Sequence, residues 1–127
     1  MLLDPLRDYL DKMESAVRNL PGAYAERYEE EILAADRVNV RIRVRFRQGF
    51  LLELDEAIIA AGTTIRHLDY RYHFQDKQGQ LIFRYDNTPH FPDLEKFPQH
   101  KHVDRGVVGC ERPSILQAAE EIKQHAD

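Results

Sequence analysis

Residues 38–57, VNVRIRVRFRQGFLLELDEA, decide the fold of this 127-residue chain. In the first half, apolar residues alternate with polar ones at a period of two, which is typical of a strand with one apolar and one charged face. The second half matches it only if residues 47–49 form a three-residue loop, because a two-residue loop would place acids opposite apolar side chains. The predicted pairs are Val44 with Leu52, Ile42 with Leu54, Arg43 with Glu53 and Arg41 with Asp55.

The arginines of this hairpin have two interpretations. Opposite charges across the two strands favour a solvated face with salt bridges, which contribute little when they are exposed. The alternative is a basic stripe that faces RNA or a partner protein. The glutamates at positions 29–31 are interpreted in the same way, as a solvated face with contact to a partner as the alternative.

Length and composition limit the class of protein. A chain of 127 residues is the size of one domain, and 43% apolar residues suffice for a core. The net charge of -4 argues against the broad basic coat of proteins that hold duplex nucleic acid by phosphate neutralisation alone. The single cysteine, Cys110, cannot form an internal disulfide. Neither a membrane span nor a secretory signal is recognisable, so we expect a cytoplasmic protein without a membrane partner.

The chain is predicted to form one α+β domain, residues 1–127, with an antiparallel meander of four or five strands between an N-terminal and a C-terminal helix. The first helix begins at Asp4-Pro5, and the second packs an apolar stripe on the sheet. The stripe residues are Leu6, Leu10, Met13 and Val17 in the first helix and Ile115, Leu116, Ala118, Ala119 and Ile122 in the second. Residues 23–36 fit a helix or an acidic edge strand. The predicted segments are residues 1–22 for the N-terminal helix, 23–86 for the sheet, 87–112 for an ordered loop with a short extended segment, and 113–127 for the C-terminal helix.

A second hairpin is predicted from residues 68–75 and 80–86, joined by DKQG. Its expected pairs are Phe74 with Leu81, Tyr72 with Phe83 and Tyr70 with Tyr85, which make an aromatic inner face. The other face would carry Arg71 directly opposite Arg84, beside His73. Acids placed diagonally would make this a salt-bridge lattice, whereas two guanidinium groups next to a histidine would also suit a phosphate. Both interpretations stay open at this stage.

The spacing of His100 and His102 is the most chemically suggestive in the chain. In an extended segment both point to the same side, toward the cluster of Arg71, His73 and Arg84, while Lys101 points away. Such histidines could act as acid and base, since the pKa of imidazole lies near working pH, or make structural hydrogen bonds. We expect no cofactor. The alternative is a divalent metal held by Asp86, His90, His100 and His102. The remaining histidines, His67 and His125, are expected to face solvent.

The strings YRYHFQD at 70–76, LIFRYDNTPH at 81–90 and FPQHKHV at 97–103 follow one another in this order. Together with the glycine-closed hairpin and a short terminal helix, they resemble the TumE-type toxins of prokaryotic toxin–antitoxin pairs. The resemblance spans roughly residue 38 to the C-terminus. It implies a cognate antitoxin that often carries a helix-turn-helix domain, and a first strand at residues 23–36. Gln99 stands where a further histidine is common in that family.

The residue types and the resemblance together predict a toxin of a type II-like pair that acts on RNA as a metal-independent endoribonuclease. Arg71 and Arg84 would hold the scissile phosphate, while histidines remove the 2'-hydroxyl proton and protonate the leaving oxygen. The expected catalytic residues are His73, His90, His100, His102, Arg84 and Asp86. The expected substrate-binding residues are Arg71, Tyr72, Tyr85, Asn87 and Lys101, with a tyrosine stacking on a base. The alternatives are a metal-dependent hydrolase or nuclease and a non-catalytic antitoxin-binding module, and a homodimer stays open.

Overall fold

Two helices cover one face of a seven-stranded antiparallel sheet in the computed structural model, which describes residues 1–89 and 91–126. The strands follow one another in chain order across the sheet, so β1 and β7 are its edges. The α+β class and the antiparallel meander are therefore confirmed, but the expectation of four or five strands is wrong. The elements are α1 Asp4–Arg18, β1 Ala23–Ala34, β2 Arg37–Phe46, β3 Leu51–Ala61, β4 Thr64–Gln75, β5 Leu81–Asp86, β6 His100–Val103, β7 Gly106–Gly109 and α2 Ile115–Ala126.

The first helix has the predicted apolar stripe. Its residues Leu6, Leu10, Met13 and Val17 are buried against the sheet. Asp4 does not cap the helix with its side chain, because the helix begins at Asp4 itself and Leu3 takes the cap position. The carboxylate instead lies in the first turn, where it faces the positive end of the helix dipole.

The hairpin of β2 and β3 has the register that its face pattern predicts. Val44 lies opposite Leu52 and Arg43 opposite Glu53. Gly49 closes the loop with a φ of +94°, a left-handed conformation that glycine adopts without steric cost. The alternation of side chains therefore sufficed to define this part of the sheet.

Residues 23–36 are largely extended, because β1 spans Ala23–Ala34 and pairs with β2. Two register shifts interrupt the strand, one at Glu26 and one at Leu33. Each inserts an extra residue on β1 and breaks the period of two. These two bulges explain why the sequence pattern of residues 23–36 fitted both a helix and a strand.

The hairpin of β4 and β5 differs from its predicted register by two residues. Phe74 lies opposite Phe83 and Tyr72 opposite Tyr85, so Arg71 faces Asp86 and not Arg84. A bulge near Gln75 and the Asp76 side chain set this register, since Asp76 Oδ1 accepts from the backbone N–H of Gln78 and Gln80, each at 2.9 Å. Because the shift is an even number, the aromatic and polar faces are as predicted.

The C-terminal part of the chain adds a hairpin and a helix. β7 was not expected, and it pairs with β6 to place Gly109 opposite His100. Ser114 and Gln117 cap α2 reciprocally, with backbone N–H groups bonded to side-chain oxygens at 3.1 and 2.8 Å. Ile122 is buried in the core, whereas Leu116 is 69% exposed and does not pack on the sheet as predicted. No helix among the described residues is long and apolar enough to cross a membrane.

Candidate functional site

The candidate site lies on the polar face of the sheet, where β4, β5 and β6 pair. The register forms two rows across these strands. One row is His73, Arg84 and His102, and the next is Arg71, Asp86 and His100. Directly paired residues in an antiparallel sheet have Cα atoms about 5 Å apart, so six chemistry-bearing side chains from three segments adjoin one another.

Asp86 is the centre of this cluster. Its side chain is 7% exposed, and Oδ1 lies 2.8 Å from Nε2 of His100, whose side chain is 2% exposed. The other oxygen, Oδ2, lies 3.5 Å from Nε2 of His102. The ring of Phe91 packs edge-on against both imidazoles, with centroids 5.3 and 6.0 Å away. A buried carboxylate is thus held beside two imidazoles that share an aromatic neighbour.

The protonation of His100 follows from its partners. Its Nδ1 lies 2.9 Å from the carbonyl oxygen of Pro98, and a carbonyl can only accept, so Nδ1 carries a hydrogen. A neutral His100 would then direct the lone pair of Nε2 at Oδ1 of Asp86, which is 2.8 Å away. Two acceptors at this distance repel each other, so a positive charge, either a proton or a metal cation, is needed between Nε2 of His100 and Oδ1 of Asp86. Nε2 of His102 lies 3.0 Å from the same nitrogen.

The same three side chains have the geometry of a divalent-metal site. Their ligand atoms, one from each of Asp86, His100 and His102, all lie within 4.8 Å of one another. Tetrahedral zinc with ordinary bond lengths separates its ligand atoms by about 3.3 Å, and the distances here are 2.8, 3.0 and 3.5 Å. The bond from His100 Nδ1 to a backbone carbonyl is the usual support of a metal-bound imidazole. Two histidines and one carboxylate would leave a coordination position for water or substrate.

His73 and Arg84 form a second part of the site. Nε of Arg84 donates to Nδ1 of His73 at 3.3 Å, and Nε2 of His73 donates to Gln75 Oε1 at 2.9 Å. Burial lowers the pKa of His73, so this imidazole stays neutral further into acid than a free one. Arg71 donates to Asp55 Oδ2 at 3.3 Å. The described contact of Arg84 is thus to an imidazole and not to a carboxylate, which leaves its charge available to an anion.

Three of the predicted substrate-binding residues lie on the opposite, helix-covered face. Tyr72 is completely buried, and its hydroxyl donates to Oε2 of Glu56. Tyr85 is also buried and donates to Glu121 of α2 at 2.6 Å, and burial raises its pKa to about 12. Lys101 pairs with the same Glu121 at 2.6 Å. The structure therefore does not bring these three residues to the histidine cluster.

Two further predicted site residues, Asn87 and His90, follow Asp86 in the chain. Asn87 accepts a hydrogen bond from the backbone N–H of Tyr70 at 3.2 Å and donates to the Leu68 carbonyl at 3.4 Å. Asn87 therefore ties the end of β5 to β4. His90 lies outside the described residues.

The basic stripe of β2 is largely neutralised by acids on both neighbouring strands. Arg43 pairs with Glu53 at 3.8 Å and Arg41 with Asp55 at 4.0 Å, as the register predicts. Glu26 adds bonds to Arg43 at 3.0 Å and Arg45 at 3.3 Å. These contacts favour the interpretation of this face as a solvated salt-bridge network.

A second polar cluster on the helix-covered face was missed by sequence reasoning. The prediction that His67 faces solvent is wrong, because its side chain is 10% exposed and its Nε2 lies 3.0 Å from Oε1 of the buried Glu56. The cause is a bulge at Leu68, which turns His67 inward and leaves Leu68 partly exposed. Glu56 offered one signal, since it falls on the apolar face of β3 by the period of two.

Comparison with known proteins gives one result. A family model described as Toxin TumE matches residues 13–126. No curated protein and no solved structure matches the chain. The match covers all seven strands, α2 and the last six residues of α1. It includes the six residues of the two rows on β4, β5 and β6: Arg71, His73, Arg84, Asp86, His100 and His102.

Proposed function

Because the chain belongs to the Toxin TumE family, we propose that it is the toxin of a toxin–antitoxin pair and that it cleaves RNA as an endoribonuclease. The observation that supports this activity is the grouping of His73, Arg84, Asp86 and His102 on adjacent positions of three strands. Two imidazoles, a guanidinium that has no acidic partner among the described residues, and an orienting carboxylate are groups that suit phosphodiester cleavage.

The leading mechanism needs no metal. His102 is the base because it is the more accessible imidazole of its pair, whereas His100 is buried and fixes Asp86. His102 removes the 2'-hydroxyl proton, the 2'-oxygen attacks phosphorus, and the bond from phosphorus to the 5'-oxygen breaks. A second imidazole returns a proton to that 5'-oxygen, and the product is a 2',3'-cyclic phosphate. His90 suits this role better than His73, because burial lowers the pKa of His73 and keeps it neutral. Arg84 neutralises the charge that develops on the phosphoryl oxygens.

A matched pair of histidine variants tests this proposal. His102→Ala should abolish growth arrest on expression, and the purified protein should lose RNA cleavage by about a hundredfold or more, as expected for loss of a general base. His125→Ala removes an exposed histidine at the end of α2 and should keep full activity. The circular dichroism spectra of both variants must match that of the native protein, which shows that both are folded. A folded His102→Ala protein that still cleaves RNA at the native rate would contradict the assignment.

A metal-dependent nuclease is the second candidate, and the ligand geometry of Asp86, His100 and His102 favours it. In that case the cation would supply the positive charge needed beside Asp86 and would activate a water molecule. The products distinguish the two mechanisms. Hydrolysis by a metal-bound water leaves a phosphate monoester and tolerates a 2'-deoxy nucleotide at the cleaved position, whereas the metal-free route requires the 2'-hydroxyl.

Metal content gives an independent test of the second candidate. Protein purified without a histidine tag should contain stoichiometric zinc or manganese, and a chelator should remove metal and activity together. The His100→Ala variant should then contain no metal. Unchanged activity after complete removal of metal would exclude this candidate.

The partner proposal follows from the family. We propose a cognate antitoxin, with a helix-turn-helix domain, that binds this chain and suppresses its activity. Coexpression with the neighbouring gene should restore growth and yield a complex that copurifies, and size measurement of the free toxin separates a monomer from a homodimer. If folded His102→Ala and Asp86→Asn variants arrest growth as the native protein does, the chain acts as a non-catalytic module.

A further inference from the structure

Glu56 is the centre of a polar cluster that the proposed RNA site does not use. Its side chain is completely buried on the helix-covered face of β3. Oε1 accepts from the Tyr9 hydroxyl at 2.7 Å, and Oε2 accepts from the Tyr72 hydroxyl, which in turn accepts from Nη1 of Arg112 at 3.0 Å. Burying a charge with its partners seldom adds stability over an apolar core. A role in binding would therefore account for this buried polar cluster better than a role in stability.

The cluster fixes the tautomer of His67. Tyr9 has one hydroxyl hydrogen and gives it to Glu56, so the Tyr9 oxygen can only accept from Nε2 of His67, which is 3.0 Å away. Nε2 therefore carries a hydrogen, directed to Glu56 and Tyr9. In a neutral imidazole the other nitrogen, Nδ1, is then an acceptor. Within residues 1–89 and 91–126, Nδ1 has no hydrogen-bond partner, so it is left for a ligand.

His67 lines a cavity of about 470 Å³, which is within the usual range of small-molecule sites. The cavity wall carries three cationic side chains, Arg66, Lys96 and Arg112, and one acid, Glu111. Glu111 pairs with Lys96 at 3.3 Å and is 79% exposed.

The buried Glu56 offsets part of the charge of Arg112, to which it is linked through the Tyr72 hydroxyl. The two exposed cations, Arg66 and Lys96, therefore carry most of the positive charge of the wall. Lys96 has a φ of +68°, an unfavourable conformation for a residue other than glycine. The wall as a whole favours an anion.

We propose that this cavity binds a small phosphate ester that also carries hydroxyl groups, with a nucleoside monophosphate as the representative ligand. The phosphate lies against Arg66, Lys96 and Arg112, since guanidinium groups pair well with phosphate oxygens. A ribose hydroxyl donates to Nδ1 of His67, which Glu56 holds in place. The site is on the opposite face of the sheet from Asp86 and is independent of the proposed RNA cleavage.

Titration of the whole chain with adenosine 5'-monophosphate tests the proposal. Binding is measured by calorimetry and by the ¹⁵N and ¹H signals of the His67 imidazole. The phosphate ester should bind and shift those signals, inorganic phosphate should bind more weakly, and adenosine should not bind measurably. Arg66→Ala and Lys96→Ala remove exposed cations and should each weaken binding about tenfold, because a lost charge-assisted contact is comparable to one decade in affinity. Arg105→Ala, an exposed cation in the turn after β6, should have no effect.

The outcomes separate this proposal from the RNA site. An Asp86→Asn protein should bind the ligand as the native protein does, and Arg66→Ala should retain RNA cleavage. Unmoved His67 signals under a large excess of ligand would overturn the proposal. So would native affinity in both cavity variants, or adenosine binding as tightly as its monophosphate. If inorganic phosphate binds as tightly as the monophosphate, the hydroxyl contact at Nδ1 is wrong.

Discussion

The Tyr72→Phe substitution separates a structural role of this residue from the base-stacking role predicted from sequence. It removes one hydroxyl and leaves the buried ring in place. That hydroxyl donates to the Glu56 carboxylate and accepts from the Arg112 guanidinium. Burial raises the pKa of Tyr72, so the hydroxyl stays protonated and the donation persists throughout the working pH range. Both of its partners are charged groups that would lose a contact away from water.

The expected loss of stability is large for the removal of a single oxygen atom. Hydrogen bonds to charged groups contribute about 1.5–3 kcal/mol each, so two such bonds predict a loss of about 3–6 kcal/mol. The free energy of unfolding of a domain of this size is about 5–15 kcal/mol in total. At about 2 cal/mol/K of unfolding entropy per residue, the loss lowers the midpoint of thermal unfolding by about 12–24 °C.

Chemical and thermal unfolding measure the effect, with Tyr85→Phe as the matched control. The Tyr85 hydroxyl donates to Glu121, which is partly exposed to water and keeps its pair with Lys101, so this variant should lose less, about 1.5 kcal/mol. Below its unfolding midpoint, Tyr72→Phe should retain the native rate of RNA cleavage. A Tyr72→Phe protein with native stability would refute the reasoning on the cluster. A stable, folded variant without activity would restore the substrate role.

Three further results are expected. Burial lowers the pKa of His73, so as pH falls the unfolded chain binds a proton at His73 at a higher pH than the folded chain does. The free energy of unfolding should therefore decrease as pH drops below the ordinary value of 6.5. In urea unfolding at a series of pH values, His73→Gln should make this decrease smaller. Ile122→Ala should lower the free energy of unfolding by about 2–4 kcal/mol because this side chain is buried. Leu116→Ala on the same helix should change it by less than about 0.5 kcal/mol because Leu116 is exposed. Equal losses in the two variants would contradict the orientation of α2. Gly109→Ala should loosen the loop before β6, because the added Cβ would clash with the Glu95 carbonyl oxygen, and faster amide exchange in β6 would reveal this change.

The candidate site was partly predictable because its residues lie on strands with strict alternation. A strand directs every second side chain to the same face, so the positions of His100 and His102 indicated a shared side without any knowledge of distance. The pairing of Arg71 with Asp86 was not predictable in this way. It depends on a bulge and on side-chain bonds in the turn, which shift the register by an even number and leave the facing pattern unchanged.

The sequence by itself determined the hairpin of β2 and β3, the apolar stripe of α1 and the division of the sheet into an apolar and a polar face. Each of these follows from the spacing of apolar residues, since local backbone geometry imposes a period of two in a strand and of about 3.6 in a helix. Only the tertiary structure decided which residues join the buried cluster. His67 enters it through a one-residue bulge, and its contacts Tyr9 and Glu56 come from separate segments of the chain. Contacts between distant segments depend on bulges and layer packing, and no spacing along the chain encodes them.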